Sequence, residues 1–121
     1  MINTGVDTFA SFVGNVHGLY SEAKTLDLEL LKKIFAAAAE KKVLLEINSY
    51  PDRTDLKDVH AREAKGFGCK FVIDTDSHST ENLKFMDLGV AVARRAWLSP
   101  EDIVNTRSLK ELPKFFRKIK L

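Results

Sequence analysis

Residues 71–80 contain the side chains best suited to chemistry. Their sequence, FVIDTDSHST, opens with an apolar run and ends in Asp74, Asp76 and His78. Such a run is typical of a buried strand in an α/β protein, and side chains two positions apart share one face of a strand. A carboxylate and an imidazole on one face can bind a divalent cation. A simpler interpretation is also open, because Asp and Ser at a strand-to-helix turn commonly serve as turn and cap residues.

Every main strand that the sequence predicts ends in polar residues of this kind. They are Asn15 and His17, then Asn48, Asp52 and Arg53, then Asp76 and His78, and finally Arg94 and Arg95. Because the carboxyl ends of parallel strands meet at one edge of a sheet, we expect these side chains to converge there. Arg53 can bind a phosphate, although a local ion pair with Asp52 is the simpler interpretation. For the arginine pair, spacing does not distinguish structural ion pairs from an anion site.

Glu46 interrupts the apolar run VLLEI at residues 43–47. Buried carboxylates normally have a partner. We therefore expect Glu46 either to lean towards the polar end of its strand or to pair with a cation.

The spacing of apolar residues predicts alternating strands and helices. Strands are predicted at residues 9–16, 43–47, 71–73 and 90–93. Helices are predicted from a cap at Thr25 or Asp27 to about Lys41, from Thr54 or Asp55 to about Lys65, and over residues 79–88 with Gly89 as the stop. Ser99 with Pro100, and the capping box from Ser108 to Glu111, predict two further helix starts. Leu28, Leu31, Ile34, Phe35 and Ala38 repeat at helical spacing in the first helix. In the second helix, Leu56, Val59 and Ala64 should face inward. Short loops between these elements predict an α/β fold with parallel strands.

Composition places the 121 residues in one domain spanning residues 1–121. The chain is 45% apolar and 30% charged, with a net charge of +2, which is too small to predict nucleic-acid binding by itself. The single cysteine, Cys69, excludes a disulfide framework, should be buried, and favours a cytoplasmic setting. No apolar run reaches the length of a membrane span, so no membrane partner is expected.

Five motifs within residues 45–106 stand in the order and spacing of a known family: EIN, PDRTDL, VHAREAK, DTDSH and ARRAWL. Here the sequence resembles the end of the PHP (polymerase and histidinol phosphatase) domain at the C-terminus of family X DNA polymerases, and it does so more loosely before residue 45. The resemblance implies part of a distorted (β/α)7 barrel, of which this chain would be the C-terminal half. It also implies metal-dependent hydrolysis of phosphate esters, as a 3′–5′ exonuclease or 3′-phosphatase in DNA repair, with manganese or zinc.

The resemblance assigns roles to particular residues. Asp76 and His78 match the family's final metal ligands, and Asn48, Asp52 and Arg53 match its loop near the metals. The family's first His-x-His motif and its second His motif are absent. Where the family has Gly-His-Pro, this chain has Gly14-Asn15-Val16-His17, so either Asn15 or His17 supplies that ligand. With so few ligands, we expect weak metal binding.

Two functions from different classes remain open. The first is the phosphoesterase portion of a DNA polymerase, with Asp76, His78 and Arg53 as catalytic residues, and Asn48, Asp52, Arg94 and Arg95 contacting DNA ends. The second is a non-catalytic remnant that serves as a binding or oligomerisation module. Half a barrel leaves a strand edge exposed at residues 9–16 or 90–93, so we expect either a homodimer or a missing N-terminal half as the partner.

Overall fold

The computed structural model describes residues 8–9 and 28–115 as alternating strands and helices. The strands are β1 (Thr8–Phe9), β2 (Leu44–Asn48) and β3 (Phe71–Asp74), and the α-helices are α1 (Leu28–Lys41), α2 (Asp58–Gly66) and α3 (Met86–Arg95). Short 3₁₀ helices follow at Thr80–Phe85, Pro100–Asp102, Val104–Thr106 and Leu112–Lys114. The predicted α/β class is confirmed.

The three strands form a parallel sheet in the order β1-β2-β3. In the register of β2 and β3, Asn48 lies opposite Asp74. The parallel pairing confirms the predicted strand–helix–strand unit. The part of the chain that the structure describes forms an open sheet and no closed barrel. Of the predicted strand 9–16, only Phe9 lies in a described strand, and residues 10–16 lie outside the described residues.

Alternation along β2 and β3 creates the core. Leu45, Ile47, Phe71 and Ile73 point to one face, where each is 5% exposed or less. Helix α1 covers part of this core with Leu31, Phe35 and Ala38, as predicted. Leu28, in the first turn of α1, is half exposed, so the buried stripe begins one turn later, at Leu31. Cys69 is buried and its Sγ donates to the carbonyl of Phe35.

Helix α2 begins two or three residues later than the predicted caps, Thr54 or Asp55, imply. Residues 51–53 form a turn, Thr54 has φ +44°, and extended backbone at Lys57 leads into the helix. The helix buries Ala61 and Ala64. Val59 lies about 200° around the helix from Ala61, and it is 61% exposed, so its predicted inward position is wrong.

Residues 79–95 form no helix-stop-strand sequence. The chain instead makes the 3₁₀ helix Thr80–Phe85 and then α3, which runs through Gly89 and includes the predicted strand 90–93. Gly89 is present for close packing, since a Cβ there would lie 2.6 Å from Cγ2 of Ile73 and closer still to Oγ of Ser49. Burial of Gly89 and Ala93 follows the helical period, so the sheet edge predicted at 90–93 does not exist.

Both predicted caps near the end of the described chain are present, but only short helices follow them. Ser99 forms a capping box with Asp102 at the start of Pro100–Asp102. The Ser108 N–H and hydroxyl both donate to Oε2 of Glu111, 3.2 and 2.7 Å away. The 3₁₀ helix Leu112–Lys114 follows, and the rest of the predicted last helix, from residue 116, lies outside the described residues.

The outer edge of β3 is occupied by one side chain. The amide of Asn105 accepts from the Ile73 N–H over 3.2 Å and donates to the Ile73 carbonyl over 2.7 Å. Next to it, Phe71 and Ile103 form a single parallel bridge. Asn105 therefore makes the two hydrogen bonds that a neighbouring strand would make at Ile73. Among the helices of the described residues, none is long and apolar enough to cross a membrane.

Candidate functional site at the carboxyl ends of the strands

The carboxyl ends of β2 and β3 present a group of polar side chains that we call the carboxyl-end rim: Glu46, Asn48, Arg53, Asp74, Asp76 and His78. Glu46 and Asn48 alternate with the apolar residues of β2, and the register places Asn48 beside Asp74. The turn after β2 carries Arg53, and the turn after β3 carries Asp76 and His78. The backbone of parallel strands thus gathers side chains from two loops at one edge.

Asp76 is the centre of the rim. Its carboxylate Oδ2 lies 3.4 Å from Nδ2 of Asn48 and 3.4 Å from Nη1 of Arg53. Asp76 has φ +47°, and its N–H donates to Oδ1 of Asp74 over 3.1 Å. A non-glycine residue in the left-handed region is uncommon, and Asp is one of the few residue types whose short polar side chain tolerates it. This conformation turns the Asp76 side chain back towards β2.

Asn48 is the buried residue that connects the side chains of the rim. It is 6% exposed, its Nδ2 donates to Oε1 of Glu46 over 3.1 Å, and its Oδ1 accepts from the Tyr50 N–H over 2.8 Å. The Asn48 N–H donates to the Asp55 carbonyl, which closes the loop after β2. Asn48 therefore joins the end of β2, its following loop and the Asp76 carboxylate in one network.

His78 is exposed and held by one ring nitrogen. Its Nδ1 lies 2.6 Å from the carbonyl oxygen of Asp76. Since a carbonyl only accepts, Nδ1 donates in this contact, and in the neutral ring Nε2 then carries the lone pair. The edge of the ring also meets Tyr50, with the ring centroids 6.3 Å apart. A histidine held in this way is oriented to offer Nε2 to a cation.

Glu46 is the residue that the predicted site omitted. It is half-buried on β2, where burial and, secondly, the neighbouring Asp74 carboxylate raise its pKa to about 7. The sequence signal was its odd position within VLLEI, and it does lean towards the polar end of its strand, on Asn48. Asp74, noted in the DTDSH stretch but left out of the predicted ligands, also belongs to this group.

The structure does not bring every predicted site residue to the rim. Asp52 is exposed in the turn before Arg53. Arg94 and Arg95 lie in the last turn of α3 and do not follow a strand, and Nε of Arg95 pairs with Oδ2 of Asp58 at 2.8 Å. The expectation that these two arginines share the strand-end site through a fourth strand is wrong, because that strand is a helix. His17 and Asn15 lie outside the described residues.

The donor set can be compared with the needs of a metal ion. Asp76 offers a carboxylate and His78 an imidazole, both of which divalent transition metals accept. Within residues 28–115, no group of three or more His, Cys, Asp and Glu side chains is arranged to hold a metal ion. The residues present thus fit as two ligands of such a site.

Comparisons with known proteins give two matches. The chain is 32% identical over 118 residues to the DNA polymerase/3′-5′ exonuclease PolX of Bacillus subtilis (strain 168). That alignment covers 98% of this chain and 20% of PolX, so the chain spans about a fifth of the length of this relative. The model of the class-II fructose-bisphosphate aldolase family matches residues 1–96.

The two matches name different families. The aldolase model ends before the last part of the ARRAWL motif and all of the segment after it. The PolX alignment extends over nearly the whole chain. It also includes the five motifs EIN, PDRTDL, VHAREAK, DTDSH and ARRAWL, so the relationship to PolX is the better supported of the two.

Proposed function

The chain belongs to the PHP family carried by family X DNA polymerases, and on this premise we propose that it forms the C-terminal part of a metal-dependent phosphoesterase domain. The substrate class is a phosphate ester at a DNA end, hydrolysed in the manner of a 3′–5′ exonuclease or a 3′-phosphatase during DNA repair in the cytoplasm. The proposal includes a (β/α)7 barrel that the remaining strands would complete.

One observation carries this proposal: the Asp76 carboxylate lies at the strand ends with a guanidinium and an amide on the same oxygen. Asp76 and His78 are the residues we assign to a manganese or zinc ion. A third ligand would come from His17, from Asn15, or from a partner chain. When bound, a divalent cation polarises the phosphate and lowers the pKa of an attacking water.

The chain's own side chains have separate tasks in this scheme. Arg53 is half exposed and can turn its guanidinium from Asp76 to a phosphate oxygen, where it would stabilise developing negative charge. Asn48 holds the Asp76 carboxylate in position through Nδ2, and His78 is fixed by the carbonyl of Asp76. Asp52, beside Arg53 in the same turn, remains a predicted substrate contact.

A non-catalytic module is the second candidate. It is favoured by the small number of ligands, because catalytic zinc sites normally have three protein ligands and the described rim offers two. In that case the chain would bind a partner or a second copy of itself. A homodimer remains a prediction, now without the strand edge at 90–93.

Calorimetric titration with Mn²⁺ and Zn²⁺ tests the metal site. We expect weak binding by the wild-type chain and at least tenfold weaker binding by Asp76→Asn and by His78→Ala, since each removes one of the two ligands. His60→Ala is the matched control, because His60 lies on α2 and is partly buried away from the rim. Equal titrations for His78→Ala and His60→Ala would overturn the assignment.

Hydrolysis of a 3′-phosphorylated oligonucleotide in Mn²⁺ separates the two candidate functions. Turnover that is lost in Asp76→Asn but kept in Asp87→Asn would support the phosphoesterase. Metal binding without turnover, even after the N-terminal part of the domain is added, would favour the non-catalytic module.

A further inference from the structure

Trp97 is the most unusual exposed residue of the described chain. It is 73% exposed and follows Ala96, the C-cap residue of α3, with φ +60°. A large aromatic side chain normally loses water contact on folding, and a bulky residue at positive φ is a backbone outlier. Two unfavourable choices at one position call for a reason.

The way the three helices end makes this choice clearer. Each ends with the same pair of backbone hydrogen bonds, in which the residue after the cap has positive φ: Lys42 at 56°, Gly68 at 86° and Trp97 at 60°. After α3, the Leu98 N–H donates to the Ala93 carbonyl and the Trp97 N–H to the Arg94 carbonyl, each over 3.0 Å. Glycine is the usual residue at this position, because it has no Cβ to strain. Tryptophan at this position puts its indole outside the fold.

The indole is held in place rather than left loose. The guanidinium carbon of Arg62 lies 4.3 Å from the ring centroid, and Nη2 of Arg62 donates to the Arg95 carbonyl over 3.2 Å. Nζ of Lys65 donates to the Trp97 carbonyl over 2.7 Å. One face of the ring is thus covered by a cation, while the exposure of the residue leaves the other face open.

The surroundings of Trp97 carry surplus positive charge. Arg62 and Lys65 contact Trp97 itself. Two further cations lie beside them: Lys70 shares the Asp102 carboxylate with Lys65, and the Arg95 carbonyl accepts from Arg62. We call these four cations together with Trp97 the Trp97 patch. Two carboxylates pair with them: Asp58 with Arg95, and Asp102 with both lysines. No ion pair of Arg62 is found within the described ranges. Because Lys70 directly precedes β3, the patch lies towards the amino ends of the strands, away from the carboxyl-end rim.

We propose that the Trp97 patch binds single-stranded DNA, by stacking one base on the open face of the indole while neighbouring phosphates contact Arg62 and the cations beside it. Stacking on an aromatic ring in a positive groove is how single strands are bound without sequence preference. A duplex does not fit, because its bases are already stacked on one another. A protein partner is less suited to the patch, since the side chain that touches the indole is a cation and not an apolar residue.

Trp97 is the only tryptophan in the chain, so its fluorescence reports on this site alone. We would titrate the 121-residue chain with an oligothymidylate in the presence of a chelator, and follow both indole quenching and the anisotropy of a labelled oligonucleotide. We expect saturable quenching by single strands and little by a duplex of the same length. We also expect affinity that falls with rising salt concentration.

Substitutions test the patch without disturbing the fold. Trp97→Gly keeps the helix end, because glycine accepts positive φ, and should weaken binding about tenfold through loss of stacking. Trp97→Phe should recover part of that loss. Arg62→Ala should weaken binding and reduce the slope of log affinity against log salt by about 0.7. Lys33→Ala, an exposed cation on α1, is the charge-matched control and should change neither.

Three outcomes would overturn the proposal: no quenching by oligothymidylate, equal affinity for wild type and Trp97→Gly, or equal loss of affinity in Arg62→Ala and Lys33→Ala. Because the measurement is made in chelator, it is independent of the proposed phosphoesterase site.

Discussion

The carboxylates at the two ends of the sheet have opposite surroundings. At the amino ends of the strands, Asp102 accepts hydrogen bonds from the Ser99 N–H and hydroxyl and pairs with Lys65 and Lys70 at 2.9 and 3.2 Å. At the carboxyl ends, Glu46 has an amide and a second carboxylate as its neighbours. The first arrangement satisfies its negative charge, and the second leaves charge uncompensated at the place where α/β proteins bind ligands.

Their pKa values record this difference. Burial alone would raise the pKa of Asp102, but the bonds from Ser99, Lys65 and Lys70 hold it well below its usual range. The pKa of Glu46 is instead raised to about 7. Asp102, with its full set of donors, is therefore a structural carboxylate. Glu46, with few donors and a second carboxylate beside it, is where a cation or a proton would bind favourably.

The largest expected effect concerns the packing of α3 against Ser49 and Ile73, near the carboxyl ends of the strands. Gly89→Ala should lower the free energy of unfolding by about 3 kcal/mol, since its Cβ meets Ser49 and Ile73 and both are buried. Urea unfolding measures this. Gly66→Ala is the control, because nothing lies within 4 Å of its Cβ position and it should cause no loss. Equal stability of the two variants would mean that α3 does not approach Ser49 and Ile73 so closely.

A smaller loss is expected at the other end of the sheet. Asp102→Asn should lower the free energy of unfolding by about 2 kcal/mol at pH 7, since two lysines lose their shared carboxylate. Asp87→Asn, at an exposed position on α3, should change it by less than about 0.5 kcal/mol. If the two variants have equal free energies of unfolding, the ion pairs of Asp102 do not stabilise the fold.

The pH dependence of stability separates the two carboxylates by its sign. The folded-state pKa of Asp102 is depressed, so its contribution to stability is present above the unfolded pKa, about 4, and falls as the pH drops below it. The folded-state pKa of Glu46 is raised, so stability should decline as the pH rises from about 4.5 to about 7. In a chelator, Glu46→Gln should remove only the second slope, and Asp102→Asn only the first. If the slope of stability against pH between about 4.5 and about 7 were unchanged in Glu46→Gln, burial and Asp74 would not raise the pKa of Glu46 as described.

Much of this fold could be predicted from short-range patterns, and the failures have physical causes. The spacing of Leu31, Phe35 and Ala38 predicts a helix by its period. The run of β3 has no period of its own, and its shortness, its β-branched residues and the polar turn residues after it predict a strand. Gly89 misled the prediction, since a glycine that ends a helix and one that admits a neighbouring strand look alike in sequence. Only the tertiary contact with Ser49 and Ile73 distinguishes them.

The site was predictable to the extent that it lies at strand ends. Asn48, Arg53 and Asp76 do come together, since topology alone brings the loops after β2 and β3 to one edge. Arg95 does not, because its placement depended on a fourth strand. The part played by Glu46 depends on cross-strand register with β3, which no local pattern in the sequence fixes.

Asn105 has a consequence for how this sheet can grow. An open β edge is a template on which another chain can add strands, and repeated addition leads to fibrils. At Ile73 both hydrogen-bonding groups of the β3 backbone are already taken by a side chain that cannot itself pass the pattern on to a further strand. Asn105 therefore blocks the addition of a further strand, and so β-aggregation, at this edge of the sheet.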